Sequence, residues 1–321
     1  MKALVFKDGQ LQFRSNEPEP VVMPETVLIE VEYAGICSTD LEIIKGYMGF
    51  EGIPGHEFVG RVLKGPAELI GKRVTAEINC VCGKCNMCRS GLSTHCLNRQ
   101  TIGIYEHNGA FAERIVVPLA NIHIIPEELT IDQALFIEPL AAAFQICRQV
   151  DINERDKVAI IGDGRLGLLV AQAISSKVSK QNLTIVGKHQ NKLDFLEKLG
   201  FRAALLGELA ITPQWDIAID CSGKAIGFET AIRMLRPRGR LILKSTFVPD
   251  KAVDLSPVVI NELQIIGSRC GPFDDAIKAL LAGQVNTNGL ITGRYNLEDG
   301  LEAFAAAASP QHIKVILKIK N

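Results

Sequence analysis

The chain has 321 residues, of which 35 are basic and 36 acidic, so its formal net charge is −1. This length is typical of two domains, and it buries enough surface to be stable without disulfides or metal. The balanced charge argues against a nucleic-acid or membrane-surface partner, and no apolar run approaches the roughly 20 residues of a membrane span. With no signal-peptide pattern at the N-terminus, these features predict a cytoplasmic protein with reduced thiols.

The first part of the chain, up to about Ile137, has the pattern of a β-rich domain. KALVF and TVLIEVEY alternate apolar with polar residues, while EFVGRVL and GKRVTAEI are short apolar runs bounded by glycine or proline. These segments predict strands joined by loops.

Two short motifs in this part contain residue types that bind zinc. GICSTD contains Cys37, and IPGHEFVG contains His56 beside Glu57. A thiolate, an imidazole and a carboxylate are the ligands of an open, catalytic zinc site. Isolated cysteine and histidine residues are more often buried structural residues, so both interpretations stay open at this point.

The segment CVCGKCNMCRSGLSTHC concentrates five of the nine cysteines of the chain. Four of them follow the spacing C-x2-C-x2-C-x7-C: Cys82, Cys85, Cys88 and Cys96. Four thiolates complete a tetrahedral zinc shell and leave no position for water or substrate, so this spacing predicts a closed, structural site. Cys80 is left outside the set, and the alternative is a loop of thiols without metal.

From Asp156 onward, apolar strand patterns alternate with helical ones, beginning with KVAIIG and RLGLLVAQAISS. This alternation predicts a parallel sheet covered by helices on both faces. NLEDGLEAFAAAA and HIKVILKI then predict one helix and one strand, and that strand can return to the first part of the chain.

A glycine motif lies between the first strand and the first helix of the alternating region. Gly162, Gly164 and Gly167 have G-x-G-x-x-G spacing, and Arg165 and Leu166 open the helix. Glycines here permit a tight turn and close approach of a pyrophosphate, which the helix N-terminus stabilises. The motif predicts a dinucleotide site, and the alternative is a turn that needs glycine for packing alone.

The end of the next strand bears on the choice between NAD and NADP. An NAD site usually has an acidic residue there to bind the adenosine ribose, whereas this chain has Gly187 followed by Lys188 and His189. Loss of the carboxylate and gain of a cation favour the 2′-phosphate of NADP. The alternative is NAD bound through other contacts beside a solvated basic turn.

These motifs, in this order, resemble the zinc-dependent alcohol dehydrogenases of the medium-chain dehydrogenase/reductase superfamily. The resemblance covers nearly the whole chain, from GICSTDLEI and PGHEFVG through GAFAERIVVP, EPLA and IGDGRLGLL to the terminal KVIL. It implies an α/β protein in which a GroES-like β-barrel catalytic domain accompanies a Rossmann domain with a doubly wound parallel sheet. The implied bounds are residues 1–138 with 267–321 for the catalytic domain and 139–266 for the NAD(P)-binding domain.

The resemblance also implies roles for residues of the metal site. Cys37 and His56 match the first two ligands of a catalytic zinc, and Glu138 takes the third-ligand position. Several alcohol dehydrogenases have cysteine there, whereas polyol and sugar dehydrogenases have glutamate. Glu57 matches a carboxylate that lies behind the metal or enters its shell, and which glutamate binds the resting zinc is left open.

Further residues are assigned through the same resemblance. Thr39 matches the hydroxyl group of the family's proton relay, and the alternative is that it caps a turn. Glu42 stands at the position where the relay often ends on a histidine. The strand ends that face the cofactor in this family carry Asp220, Ser222, Gly223, Ser268 and Arg269. Candidates for the substrate cleft, which equally fit a packing role, are Tyr47, Phe50 and Tyr105.

The resulting prediction is a zinc-dependent oxidoreductase that transfers hydride between an alcohol, polyol or sugar hydroxyl, or the matching carbonyl, and NAD(P), with NADP favoured. We expect two zinc ions per chain and a homodimer or homotetramer. A zinc-independent quinone or enone reductase on the same fold is the main alternative. A zinc-ribbon protein that binds nucleic acid or a protein partner is a remote one.

Overall fold

The computed structural model of the protein describes residues 1–246 and 253–320. It divides into two compact units. The first contains Met1–Glu138, Ile277–Ala282 and the described chain from Thr287 onward, and the second contains Pro139–Ala276 and Gly283–Asn286. Within the described ranges, no helix is both long and apolar enough to cross a bilayer.

The secondary structure over these ranges follows the predicted change from a β-rich part to an alternating part. The strands are β1 Ala3–Lys7, β2 Gln10–Arg14, β3 Thr26–Gly35, β4 Glu57–Lys64, β5 Arg73–Ala76, β6 Asn79–Cys80, β7 Gln100–Ile102, β8 Glu106–His107, β9 Arg114–Pro118, β10 Ile122–Ile124, β11 Val158–Ile161, β12 Leu183–Gly187, β13 Arg202–Leu205, β14 Trp215–Asp220, β15 Leu235–Leu243, β16 Gln264–Gly267, β17 Ile291–Asn296 and β18 Lys314–Lys318. The α-helices are α1 Ser38–Ile43, α2 Asn86–Arg89, α3 Ile131–Ala134, α4 Ile137–Gln149, α5 Arg165–Ile174, α6 Gln190–Lys198, α7 Ala225–Met234, α8 Ser256–Ile260, α9 Phe273–Leu281 and α10 Gly300–Ala308.

The main sheet of the first unit contains strands from both ends of the chain. Its order is β10-β5-β4-β3-β18-β17, and β9 also pairs with β3. The predicted return of the last strand is confirmed, because β18 pairs antiparallel with β3, with Ile316 opposite Gly35. Phe111 and Phe304 pack edge to face in the core of this unit, with ring centroids 5.7 Å apart. The C-terminal segment is therefore an integral part of this unit.

The second unit contains a parallel sheet in the order β13-β12-β11-β14-β15-β16. Numbered within the unit, this is the 3-2-1-4-5-6 order of doubly wound dinucleotide-binding sheets. All side chains of the central strand β11 are buried, as expected for a parallel strand covered on both faces. The unit extends to Ala276, beyond the predicted end at residue 266, because that bound would cut through β16, whose residues pair with β15.

The parallel arrangement brings the carboxyl ends of these strands to one edge of the sheet. The residues that follow β11, β12, β14, β15 and β16 therefore lie along this edge. Ligands of doubly wound folds bind outside the carboxyl ends of the strands.

Candidate zinc and dinucleotide sites

Four cysteines of the loop between β6 and β7 converge on one point. Their Sγ atoms lie within 4.8 Å of one another, and neighbouring pairs are closer: Cys85 to Cys88 at 3.5 Å, Cys82 to Cys96 at 3.5 Å and Cys85 to Cys96 at 3.8 Å. A zinc–sulfur bond of about 2.3 Å gives a tetrahedron whose edges are about 3.8 Å. The sulfur positions therefore fit one tetrahedral zinc ion.

The backbone of this loop stabilises the anionic form of some of its thiols. Hydrogen bonds from the amides of Lys84 and Cys85 lower the pKa of Cys82 to about 6. Cys80 lies elsewhere: it is buried in the core of the first unit, and burial raises its pKa to about 12. Burial and the neighbouring thiols raise the pKa of Cys88 to about 12, so it is the convergence of the four sulfur atoms that distinguishes the loop from Cys80.

A second group of potential metal ligands comes from two segments that are adjacent in the main sheet. Cys37 follows the end of β3, while His56 precedes β4 and Glu57 begins it. One donor atom from each lies within 4.8 Å of the others, and His56 and Glu57 are almost completely buried. The register of β3 and β4, in which Gly35 pairs with Glu57, brings these segments together.

Asp40 contacts two members of this second group, Cys37 and His56. Its carboxylate accepts hydrogen bonds from the amides of Cys37 (2.7 Å) and Gly55 (3.2 Å), and lies 3.4 Å from His56 Nδ1. Burial alone would lower the pKa of His56, but the Asp40 carboxylate and Cys37 raise it well above its ordinary value. A carboxylate near the other ring nitrogen is the usual arrangement behind a zinc-bound histidine, and here it would leave Nε2 as the metal-binding atom.

The chemistry of the donor set fits a zinc ion. Within the described part of the chain, Glu57 Oε1 is buried and has no hydrogen-bond partner. A buried carboxylate oxygen without a partner is costly unless a cation completes its coordination. A thiolate, an imidazole and a carboxylate leave one position of a tetrahedral shell for water or substrate, as in catalytic zinc sites.

Lys314 belongs to this site, although no motif of the sequence marks it. Its side chain is fully buried, and its ammonium forms an ion pair with Glu57 Oε2. Burial lowers the pKa of Lys314 to about 8. A side chain at Gly35 would collide with Lys314, since a Cβ there would lie 2.4 Å from its Nζ. The only signal in the sequence was a lysine inside the apolar strand HIKVILKI.

The other predicted site residues of the first unit lie outside this group of three metal ligands. Glu138 is buried in the first turn of α4 but is not a member of the three-residue group found among the described residues. Thr39 Oγ1 lies 3.8 Å from Cys37 Sγ. Glu42 lies on the exposed side of α1 and accepts a hydrogen bond from Lys45 Nζ at 2.8 Å.

The aromatic candidates for the cleft divide into two kinds. Phe50 is buried against Phe6 and Ile43, so it has a packing role. Tyr47 and Tyr105 are partly exposed. Phe50 is therefore set aside as a cleft residue because its ring is enclosed by core side chains.

In the second unit, each glycine of the motif occupies the position that its predicted role requires. Gly162 has φ of +119°, which disfavours other residues, and a Cβ at Gly167 would lie 2.0 Å from the Gly162 carbonyl oxygen. Gly164 caps α5, and a Cβ there would have no neighbour within 4 Å. The first and third glycines are needed for the turn and for packing, while the second leaves open space beside the helix N-terminus.

Further candidate cofactor residues lie at the same carboxyl edge of the sheet. Ser222 follows β14, and Ser268 and Arg269 follow β16. Lys244, which no motif of the sequence marks, follows β15; its Nζ donates to Ser268 Oγ at 3.2 Å and to the carbonyl oxygen of Arg269. At the end of β12, Gly187 is followed by Lys188 and His189, as the sequence predicts.

The fold and these sites define a class of protein: a dehydrogenase that uses zinc and a nicotinamide dinucleotide. Residues 23–127 match the family model described as alcohol dehydrogenase GroES-like domain, and residues 166–283 match the one described as zinc-binding dehydrogenase.

Individual dehydrogenases are similar to this chain over nearly its whole length. The chain is 28% identical to a sorbitol dehydrogenase of Halalkalibacterium halodurans, with 99% of each covered. It is 30% identical to an L-threonine 3-dehydrogenase of Streptomyces avermitilis, again with 99% of each covered. A crystal structure from Sinorhizobium meliloti 1021, described as a zinc-binding dehydrogenase bound to NADP, is 26% identical with a TM-score of 0.86 and 99% of each chain covered.

The chain belongs to the zinc-binding alcohol dehydrogenase family. It is an NAD(P)-dependent, zinc-dependent oxidoreductase of the alcohol dehydrogenase type, built from a GroES-like domain and a Rossmann domain.

Proposed function

We propose that the protein oxidises a secondary hydroxyl of a polyol, sugar or related small alcohol, or reduces the matching carbonyl, at a zinc site made by Cys37, His56 and Glu57. The observation that supports this site most directly is the convergence of these three donor atoms within 4.8 Å. The sorbitol dehydrogenase named above supports the substrate class. Cys82, Cys85, Cys88 and Cys96 hold the second, structural zinc in this proposal.

The protein's own residues supply the geometry for the reaction. Asp40 holds the backbone of Cys37 and faces the His56 imidazole, so both ligands are oriented before metal binds. Lys314 forms an ion pair with one oxygen of Glu57, which supplies a counter-charge to that carboxylate in a buried environment. When bound, zinc would supply Lewis acidity toward a substrate oxygen, and a nicotinamide cofactor would supply or accept the hydride.

Thr39 is the proposed carrier of the substrate proton. Its hydroxyl lies on the first turn of α1, 3.8 Å from the Sγ of Cys37, one of the residues that would hold the zinc. A hydroxyl can accept a proton on one side and donate one on the other. Glu42 accepts a hydrogen bond from Lys45 at the exposed side of α1. We therefore assign Glu42 only to the last step of the proton relay, at which the proton passes to solvent.

The proposal is tested by a hydride-transfer screen of the purified protein against alcohols, polyols, aldoses and L-threonine, with NAD and NADP in parallel. We expect turnover of at least one compound with a secondary hydroxyl, and loss of that turnover after removal of zinc by a chelator. Turnover of a quinone or enone that survives chelation would instead establish the zinc-independent alternative.

Three further predictions concern the context of the enzyme. We propose a homodimer or homotetramer, which sedimentation equilibrium measures directly, and a cytoplasmic location. The balanced charge supports the absence of a nucleic-acid partner. Salt-dependent binding to random DNA in a gel-shift assay would contradict that last prediction and favour the zinc-ribbon alternative.

A further inference from the structure

The end of β12 holds a carboxylate that the sequence pattern did not indicate. The case for NADP rests on Gly187, which stands where an NAD site usually has an acidic residue. In the structure, the side chain of Asp163, from inside the glycine motif, lies over Gly187. A Cβ at Gly187 would be 2.6 Å from both Cβ and Oδ2 of Asp163, so the missing side chain at one position makes room for the carboxylate from the other.

Hydrogen bonds hold this carboxylate in place. Asp163 Oδ2 accepts from the amides of Lys188 at 2.7 Å and His189 at 2.6 Å, and His189 Nδ1 lies 3.1 Å from the same oxygen. These amides follow the strand end directly, where they would otherwise be available to an anion. Asp163 therefore uses the backbone donors that a 2′-phosphate would need.

The charge of Asp163 is maintained in the folded protein. Burial by itself favours the neutral acid, but the donors of His189 and Lys188 outweigh it and keep the pKa of Asp163 below its ordinary value. Lys192, on α6, is a further cation near this carboxylate. The Asp163 carboxylate thus stays ionised at neutral pH.

Two lysines oppose this effect, Lys188 and Lys192. Lys192 is buried near the carboxylate and offsets part of its charge. The Lys188 side chain is exposed, so water and salt screen its attraction for a phosphate. Asp163 is only 7% exposed and its carboxylate is held by directed hydrogen bonds, so its repulsion is screened less. The buried charge dominates the exposed one at this position.

We propose that Asp163 is the specificity-determining residue for the cofactor and makes the enzyme prefer NAD over NADP. The carboxylate stands at the strand end where the adenosine ribose of a Rossmann site binds. There it accepts hydrogen bonds from ribose hydroxyls and repels a 2′-phosphate. The inference deepens the proposed function by choosing between its two cofactors.

The test measures binding of the reduced cofactors alone, so it does not depend on finding the substrate. Wild type, Asp163→Asn and the control Asp194→Asn are titrated with NADH and with NADPH by fluorescence. Asp194 is a matched control, because it is a carboxylate on α6 that accepts a hydrogen bond only at the exposed surface, from Gln190. We expect wild type and Asp194→Asn to bind NADH at least about tenfold more tightly, and Asp163→Asn to lose most of that ratio.

A preference of the wild type for NADPH, or an unchanged ratio in Asp163→Asn, would overturn the proposal. Thermal unfolding establishes first that each variant is folded. If Asp163→Asn does not fold, the double variant Asp163→Gly/Gly187→Asp replaces it, since it moves the carboxylate to the usual position at the strand end. That variant is expected to keep the NADH preference, and a switch to NADPH would contradict the proposal. Failure of the substrate screen would leave these binding ratios unaffected.

Discussion

At the scale of single residues, the candidate catalytic site depends on a buried ion pair beneath a set of metal ligands. Lys314 and Glu57 are both almost completely buried, and removing one partner of such a pair commonly costs about 3–5 kcal/mol because the other charge remains. Glu57 forms an ion pair with Lys314 through Oε2, and neither of its oxygens has a hydrogen-bond partner among the described residues. The donor atom of Glu57, unlike that of Glu138, lies in one group with those of Cys37 and His56, and for this reason we assign Glu57 to the resting zinc.

Separate replacement of the two glutamates tests this assignment. In Glu57→Gln we expect the zinc content to fall by about one ion per chain, because the amide is a far weaker zinc ligand than a carboxylate. Glu138→Gln should keep both ions, because Glu138 is not a member of the group proposed to bind the open-site zinc. Metal analysis after dialysis measures both variants, and the reverse pattern would identify Glu138 as the resting ligand. Gln retains an oxygen for Lys314, which limits the loss of stability in Glu57→Gln.

At the scale of elements, the strand β11, the glycine turn and the helix α5 form a unit whose geometry the sequence predicts in detail. The glycines of the motif have different surroundings. Gly167 packs against the carbonyl group of Gly162, whereas Gly164 faces open space. The short spacing of the motif determines these relations, because the turn and the first helical turn together contain all three residues.

Alanine at each of two glycines separates packing from cofactor binding. Gly167→Ala would place Cβ 2.0 Å from a backbone oxygen, so we expect a loss of about 1–3 kcal/mol in stability and a lower Tm. Gly164→Ala meets no protein atom and should keep the wild-type Tm while binding NADH more weakly, because the methyl group obstructs the approach of the pyrophosphate. Thermal unfolding and fluorescence titration measure the two effects. Equal losses of stability in both variants would contradict this division of roles.

At the scale of the whole molecule, the two sets of zinc ligands differ in how the chain assembles them. The four cysteines come from one loop, whereas Cys37 and His56 come from segments joined by the pairing of β3 with β4. Lys314 comes from β18, which joins the same sheet from the far end of the chain. The loop site therefore stabilises a local structure, while the open site requires the completed sheet.

Cysteine replacements distinguish the two sites. The wild type should contain about two zinc ions per chain. Cys88→Ser should first lower thermal stability or yield, since a closed site contributes directly to folding, whereas Cys37→Ser should remain folded and lose turnover. Cys147→Ser is the control, because Cys147 lies in α4 outside both groups and should keep both ions. Loss of turnover in a stable Cys88→Ser variant would mean that the two sites are assigned in reverse.

The sequence predicts the features that are formed by residues close together along the chain: the alternating strands, the βα units, the glycine turn and the four-cysteine loop. In each of these, the interacting residues are close along the chain, so their spacing constrains their geometry. The contacts of Lys314 with Glu57 and of Asp163 with the strand end at Gly187 emerged only in the folded protein. Strand pairing brings these distant residues together, and the absence of side chains at Gly35 and Gly187 leaves room for the two contacts. Both conditions are met only in the tertiary structure.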